Sequence, residues 1–151
     1  MVKKSKEASF IRKHSLSIAS ILILCTWIVL YKFSDPSTHL GSFFGNAIAD
    51  WAGVVVTILA TKYMYETGSA ESRKPNPEEW LSPLRNLMRN HSLTIFLVIS
   101  GIGWVVLYIH VNSEAKWGQV VGNIVSEWTQ IFGLVLLTKK LIEKGSKESS
   151  H

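Results

Sequence analysis

Cysteine is scarce in this chain, and charge is almost missing from four long stretches of it. The one cysteine among 151 residues, Cys25, has no partner for an intramolecular disulfide and fits no metal-ligand spacing. Charged residues are crowded between the apolar stretches, whereas a globular protein scatters them along amphipathic helices. The stretches without charge are therefore more informative about the class of fold than the net charge of +5.

Motifs for catalysis and cofactor binding are also lacking. The chain has no phosphate loop, no dinucleotide fingerprint and no HExxH pair, and its five histidines have no partners at metal-ligand spacing. Ser15 and Ser92 stand at predicted helix starts without a base or oxyanion motif nearby, so we expect them to be N-caps. The sequence thus predicts no enzyme, no cofactor and no metal site.

The four apolar stretches have the length of membrane-spanning helices. A hydrocarbon core of about 30 Å needs roughly 20 residues of helix, and an isolated strand in lipid would leave its backbone groups unpaired. The predicted spans are residues 15–33, 41–62, 92–110 and 118–138. No small-x-small cleavage site follows the first span, so it is predicted to be a retained signal anchor. The expected fold class is an all-α polytopic membrane protein.

The distribution of basic residues predicts the orientation. Fourteen of the 16 Lys and Arg residues lie before the first span, from Lys62 at the end of the second span to the start of the third, or after the fourth. By the positive-inside bias, those segments and both termini are predicted to face the cytoplasm. The protein is accordingly expected in the inner or plasma membrane of the cell. Basic residues at those positions face lipid headgroups, so no nucleic acid is expected as a partner. Tyr31 and Tyr108 belong to a predicted aromatic belt near the outer surface.

An internal repeat relates the two halves of the chain. His14-Ser15-Leu16 recurs as His91-Ser92-Leu93, and the same offset of 77 residues relates many further positions without a gap. Each copy is one hairpin of two spans with the same orientation, which predicts a pseudo-twofold axis along the membrane normal. The predicted units are a first hairpin with its basic tail (1–74), a linker (75–90) and a second hairpin with its tail (91–151).

The linker is polar, and its prolines predict an extended or turned first half. Ser82-Pro83 is typical of a helix start, and Leu84, Leu87 and Met88 would share one face of the helix that follows. Two interpretations stay open, a short interfacial helix or a basic flank that only fixes topology.

The motifs GNAIADW with ETGSAES, and GNIVSEW with EKGSKES, resemble the duplicated pattern of a family of uncharacterised small bacterial membrane proteins. In that family an Asn-Trp-x-Ser-Glu-like element opens the second helix of each hairpin, and a Gly-Ser-x-Glu-Ser tail closes it. Here the carboxylate precedes the Trp, and Thr67 and Lys144 replace an Arg of the family pattern. The resemblance implies an architecture of duplicated two-helix hairpins and implies no activity.

Small residues recur in the second helix of each predicted hairpin. GSFFG places Gly41 and Gly45 one turn apart, and GQVVG does the same for Gly118 and Gly122. Such rows let helix backbones approach closely in lipid. We expect them to pack the second span against the fourth, or against a second molecule.

A polar stripe lies beside the glycines and contains a carboxylate in each copy. Asn46 and Asp50 are repeat partners of Asn123 and Glu127, and an acid at this depth is expected to face the bundle or a water-filled vestibule. In one hypothesis Asp50 and Glu127 meet across the pseudo-axis as a proton- or cation-binding pair. In the other, hydrogen bonds from neighbouring side chains hold them, and they only fix helix register.

The sequence therefore predicts a membrane-embedded interaction or assembly protein, as a homo-oligomer or with another membrane protein. The alternative is a small conduit for ions, protons or a solute. The lipid bilayer is the expected surrounding in both.

Overall fold

A computed structural model describes residues 2–67, 69, 83–139 and 141, with side chains from Phe10 onward. This part of the chain forms five helices, which confirms the all-α prediction. They are α1 (Val2–Phe33), α2 (His39–Tyr63), α3 (Pro83–Asn90), α4 (Ser92–His110) and α5 (Lys116–Leu137).

Four of these helices are long and apolar enough to cross a membrane. They are α2, α4, α5 and the part of α1 from Phe10 to Phe33, so the predicted spans are confirmed to within two residues at most ends. The exception is the start of α1, which extends back to Val2. Ser15 therefore lies inside a helix, where its hydroxyl donates to the Arg12 carbonyl at 3.2 Å, and its prediction as an N-cap was wrong.

The spanning helices pack in the order α1, α2, α5, α4. The central pair is thus α2 and α5, with α1 against α2 and α4 against α5. The buried core between them is mostly aliphatic, with Tyr31 and Trp128 as its large aromatic members. We call the end with residues 34–38 and 111–115, which connect the helices of each hairpin, the loop end. The opposite end, with residues 64–67 and His91, is the linker end.

The predicted short helix in the linker exists as α3. Its apolar side chains Leu84, Leu87 and Met88 are all exposed, and it contacts the start of α4. Most of the segment before α3, including Ser82 at the predicted helix start, lies outside the described residues. The predicted boundary between the first hairpin and the linker, at residues 74 and 75, also lies outside them.

Both hairpins turn in the same way. In the first, the Asp35 carboxylate accepts from the Ser37 backbone N–H at 2.9 Å; in the second, the Asn112 side chain accepts from the Glu114 N–H at 3.0 Å. The carbonyls of Asp35 and Asn112 then pass so close to the following helix that a Cβ on Gly41 or Gly118 would overlap them. These two glycines are needed for the turn.

The next glycine of each row contacts a tyrosine of the preceding helix. A Cβ on Gly45 would lie 3.1 Å from the Tyr31 ring, and one on Gly122 would lie 3.0 Å from the Tyr108 ring. The four glycines therefore allow close packing inside each hairpin. In this structure the glycines do not pack α2 against α5, because Gly45 and Gly122 lie against tyrosines of their own hairpins. The alternative, packing against a second molecule, stays a prediction.

Candidate functional site

The two asparagines of the polar stripe meet between α2 and α5. The Asn123 side-chain amide donates to the Asn46 side-chain oxygen at 2.6 Å, across 77 positions of sequence. A twofold axis that relates the two hairpins would exchange Asn46 with Asn123. Two residues exchanged by an axis contact each other only when both lie close to it. The bond therefore marks where such an axis would run.

The carboxylates meet one turn further toward the linker end. Asp50 and Glu127 lie close enough for their side chains to interact directly. The longer side chain of Glu127 fits because Gly53 leaves room, with Glu127 Oε2 3.2 Å from the place of a Cβ there. Gln130, which is the repeat partner of Gly53, donates its amide to Glu127 Oε1 at 3.3 Å. The structure thus brings together all four polar residues that the sequence singled out.

These residues lie on the outside of the central helix pair. Asn46, Asp50 and Gln130 are exposed, and Asn123 and Glu127 are half-buried. We call these five residues the polar face. At 1.5 Å per residue, Asp50 is about 17 Å from the start of α2 and about 20 Å from its end, so the polar face lies near the middle of the span.

Two threonines that lie further along α2 toward the linker end are not part of this face. Thr57 and Thr61 line an apolar cavity between α2, α4 and α5, together with Leu93 and Leu97. Thr61 donates its hydroxyl to the Thr57 carbonyl at 2.6 Å, so that group is satisfied within its own helix.

A second polar site, at the linker end, was not predicted. Glu66 follows α2, and its side chain is completely buried. Its Oε1 contacts His91 Nδ1 at 2.6 Å and Lys139 Nζ at 2.5 Å. Its Oε2 accepts from the Thr94 backbone N–H at 3.1 Å. One carboxylate therefore binds the start of α4 and the residues just after α5. We call Glu66, His91 and Lys139 the Glu66 cluster.

Glu66 also acts as the cap of α4. The first N–H groups of a helix lack hydrogen-bond acceptors within the helix, and the Glu66 carboxylate accepts the hydrogen bond of the Thr94 N–H. Ser92, the predicted cap, makes no such bond. Its hydroxyl accepts from the Tyr65 N–H at 2.8 Å instead, so it fixes the segment that carries Glu66.

Further contacts extend this attachment. The Ser69 and Thr138 hydroxyls are 3.1 Å apart and buried, and the Thr67 N–H donates to the Asn90 carbonyl at 2.9 Å.

Burial by itself raises the pKa of Glu66, but hydrogen bonds from Lys139, Thr94 and His91 outweigh it and hold the pKa below its ordinary value of 4.5. Glu66 is thus a buried, ionised and well-partnered carboxylate.

The loop end has its own contact between the hairpins. Tyr31 is buried, and its hydroxyl donates to the Lys116 carbonyl at 2.5 Å. The Lys116 ammonium in turn donates to the carbonyls of Lys32 and Ser34. Tyr31 is therefore not a lipid-facing member of an aromatic belt, whereas Tyr108 is 43% exposed and can be one.

Within the described part of the chain, no group of three His, Cys, Asp or Glu side chains is arranged to hold a metal ion. The chain matches no protein-family model, no curated protein and no solved structure. The resemblance to small bacterial membrane proteins stays a prediction, and function has to be argued from the geometry.

Proposed function

We propose that this protein is a membrane-embedded assembly protein whose polar face is covered by a partner in the bilayer. The observation that supports this most directly is the exposure of Asn46, Asp50 and Gln130 on one side of α2 and α5. Placing a carboxylate at the centre of a spanning helix costs on the order of 3 kcal/mol by insertion scales. An interface that supplies hydrogen bonds would remove most of that cost.

The partner is a second copy of this chain or another membrane protein. Polar side chains hydrogen-bond across helices in membranes, and the polar face offers amide donors and carboxylate acceptors in one row. The connections at the loop end are only a few residues long, so they offer little surface for an interaction outside the membrane. A role in assembly needs no catalytic residues, and we infer none.

A photo-reactive amino acid at position 126 tests this proposal. Ser126 is exposed beside the polar face, so irradiation of native membranes should join the protein to whatever covers that face. An adduct of twice the 16.9 kDa of the chain identifies a second copy, and an adduct of another size identifies another protein. Ile102 on α4 is 59% exposed and does not belong to the polar face, so it is the matched control. Equal or absent adducts at both positions would refute the proposal.

A small conduit is the second candidate, favoured by the direct apposition of Asp50 and Glu127. Acidic side chains inside spanning helices are typical of proton relays and ion pathways, and here two of them face each other. In the same proposal the protein lies in the inner or plasma membrane with the linker end in the cytoplasm, as its basic residues predict.

A further inference from the structure

The short helix α3 turns its apolar side away from the rest of the protein. Leu84, Leu87 and Met88 lie within about 100° of one another around the helix, and each is more than half exposed. Asn86 and Asn90 lie on another side of α3 and are half-buried. A helix on a water-exposed surface buries its apolar side and exposes its polar one. The reversed arrangement in α3 indicates that its outer side meets an apolar medium.

The place of α3 in the fold supplies such a medium. The helix α4, which begins at Ser92, is one of the four helices that are long and apolar enough to cross a membrane. α3 ends two residues before it and contacts its start. α3 therefore lies where the hydrocarbon core meets the headgroups. An amphipathic helix in that layer lies along the membrane with its apolar side chains at the acyl boundary.

Contacts at the linker end hold the last turn of α3. The Asn90 carbonyl accepts from the Thr67 backbone N–H at 2.9 Å, and the His91 N–H donates to the Leu87 carbonyl at 3.1 Å. His91 Nδ1 contacts the Glu66 carboxylate at 2.6 Å. An isolated helix of eight residues would be marginal in water. Because α3 is attached in this way, it loses little conformational freedom when its outer side enters a bilayer.

The charge of α3 specifies the kind of lipid. Arg85 and Arg89 lie one turn apart beside the apolar side, and the helix contains no acidic residue. Among the residues that the structure describes, no carboxylate forms an ion pair with either arginine, and the buried Arg89 Nε has no hydrogen-bond acceptor. Guanidinium groups bind phosphate oxygens through paired hydrogen bonds, and basic residues beside a spanning helix attract anionic lipid. We propose that α3 is a docking site for anionic phospholipid, with its apolar side among the acyl chains and both arginines on headgroup phosphates.

A spin label at residue 87 tests the proposal in the full-length protein with Cys25→Ala and Leu87→Cys. The protein is reconstituted into vesicles of phosphatidylcholine alone or of phosphatidylcholine with phosphatidylglycerol. Collisions of the label with oxygen, which concentrates among acyl chains, are compared with collisions with a water-soluble nickel chelate. We expect the label to favour oxygen in the anionic vesicles and to become more accessible to nickel in the neutral ones. A label at Ser113→Cys, which is exposed at the loop end, should be accessible to nickel in both.

Removal of single charges identifies the headgroup contacts. In the anionic vesicles, Arg85→Gln and Arg89→Gln should each lower the ratio of docked to undocked label by about fivefold, which is the effect of one basic residue at an anionic surface. Arg12→Gln is the matched control, because it removes a charge at the same end from an exposed position of α1. It should leave the ratio unchanged.

Three results would each overturn the proposal. Equal nickel access in the two kinds of vesicle would show that α3 stays in water or docks without regard to lipid charge. Exclusion of both oxygen and nickel from the label would show that protein covers the apolar side. An effect of Arg12→Gln as large as that of Arg85→Gln would show that the total charge of the linker end matters rather than contacts of α3.

Discussion

At the residue scale, the buried carboxylate of Glu66 connects several parts of this structure. A buried carboxylate is tolerated only when it is paired and hydrogen-bonded, and Glu66 has a lysine, a histidine and a backbone N–H around it. These partners belong to α4 and to the residues just after α5, so one side chain connects three helices at the linker end.

Replacement of Glu66 by Gln should destabilise the protein by about 3 kcal/mol, because Lys139 loses its counter-charge in a site with little access to water. The free energy of unfolding, measured by SDS titration in mixed micelles, checks this. Glu114→Gln, at an exposed position of the second loop, is the control and should change stability little. Equal effects of the two substitutions would mean that the Glu66 cluster contributes nothing.

Acid should weaken the same cluster. Since the folded-state pKa of Glu66 is below 4.5, its ionisation stabilises the fold fully above about pH 4.5, and that contribution is lost as the pH falls through the folded pKa. The stability difference between the natural protein and Glu66→Gln should therefore be constant near neutral pH and shrink below about pH 4.5. A difference that grows on acidification would contradict this sign.

At the element scale, each hairpin is fixed by a glycine that lies against a tyrosine. Gly45→Leu and Gly122→Leu should each lower stability in detergent by about 1–3 kcal/mol, because the added side chain overlaps the tyrosine ring. Val54→Leu, at an exposed position of α2, is the control and should be nearly neutral.

The two glycine variants should also differ from each other. Tyr31 is buried and held by the Lys116 carbonyl, whereas Tyr108 is 43% exposed, so more space surrounds its ring. Gly45→Leu is therefore expected to be the more damaging of the two in the same unfolding assay. The reverse order would show that the Tyr31 contact at the loop end does not restrain the ring.

The spans could be predicted from sequence because lipid requires a length and an apolarity that one helix carries by itself. The meeting of Asp50 with Glu127 was also foreseeable, since repeat-equivalent positions come together at an axis. The partner of the glycine rows was not, because a row of small residues shows that something packs closely without saying what. Glu66 was missed since its partners are 25 and 73 residues away and share no motif with it.

At the scale of the whole molecule, the distribution of basic residues predicts which end faces the cytoplasm. In a Cys25→Ala background, cysteines at Ser37 and Ser113 should react with an impermeant thiol reagent in intact cells, since both positions are exposed at the loop end. A cysteine at Ser72 should react only after the cells are broken. Labelling of Ser72 alone in intact cells would reverse the orientation.

Amide substitutions on the polar face decide between assembly and conduction. Asp50→Asn and Glu127→Gln keep the shape and the hydrogen-bonding capacity of the two side chains but remove the titratable charge. An interface that uses these groups only as hydrogen-bonding partners should persist, so the adduct from position 126 should form as before in both variants. A conduit depends on the charge itself, and proton or cation flux into reconstituted vesicles should then be abolished while the protein still folds and inserts.

The apolar pair Asp50→Leu with Glu127→Leu completes this test. This double variant removes the hydrogen-bonding groups as well as the charge. The cost of exposing carboxylates to lipid, which favours a partner on the polar face, is removed with them. If the protein assembles through this face, the adduct at position 126 should be lost in the apolar variant and retained in the amide variants, with no flux from any of them across a pH gradient or a panel of cations. If flux is present in the natural protein and disappears in the amide variants, the carboxylates serve conduction, and the proposal of a purely assembling role is wrong.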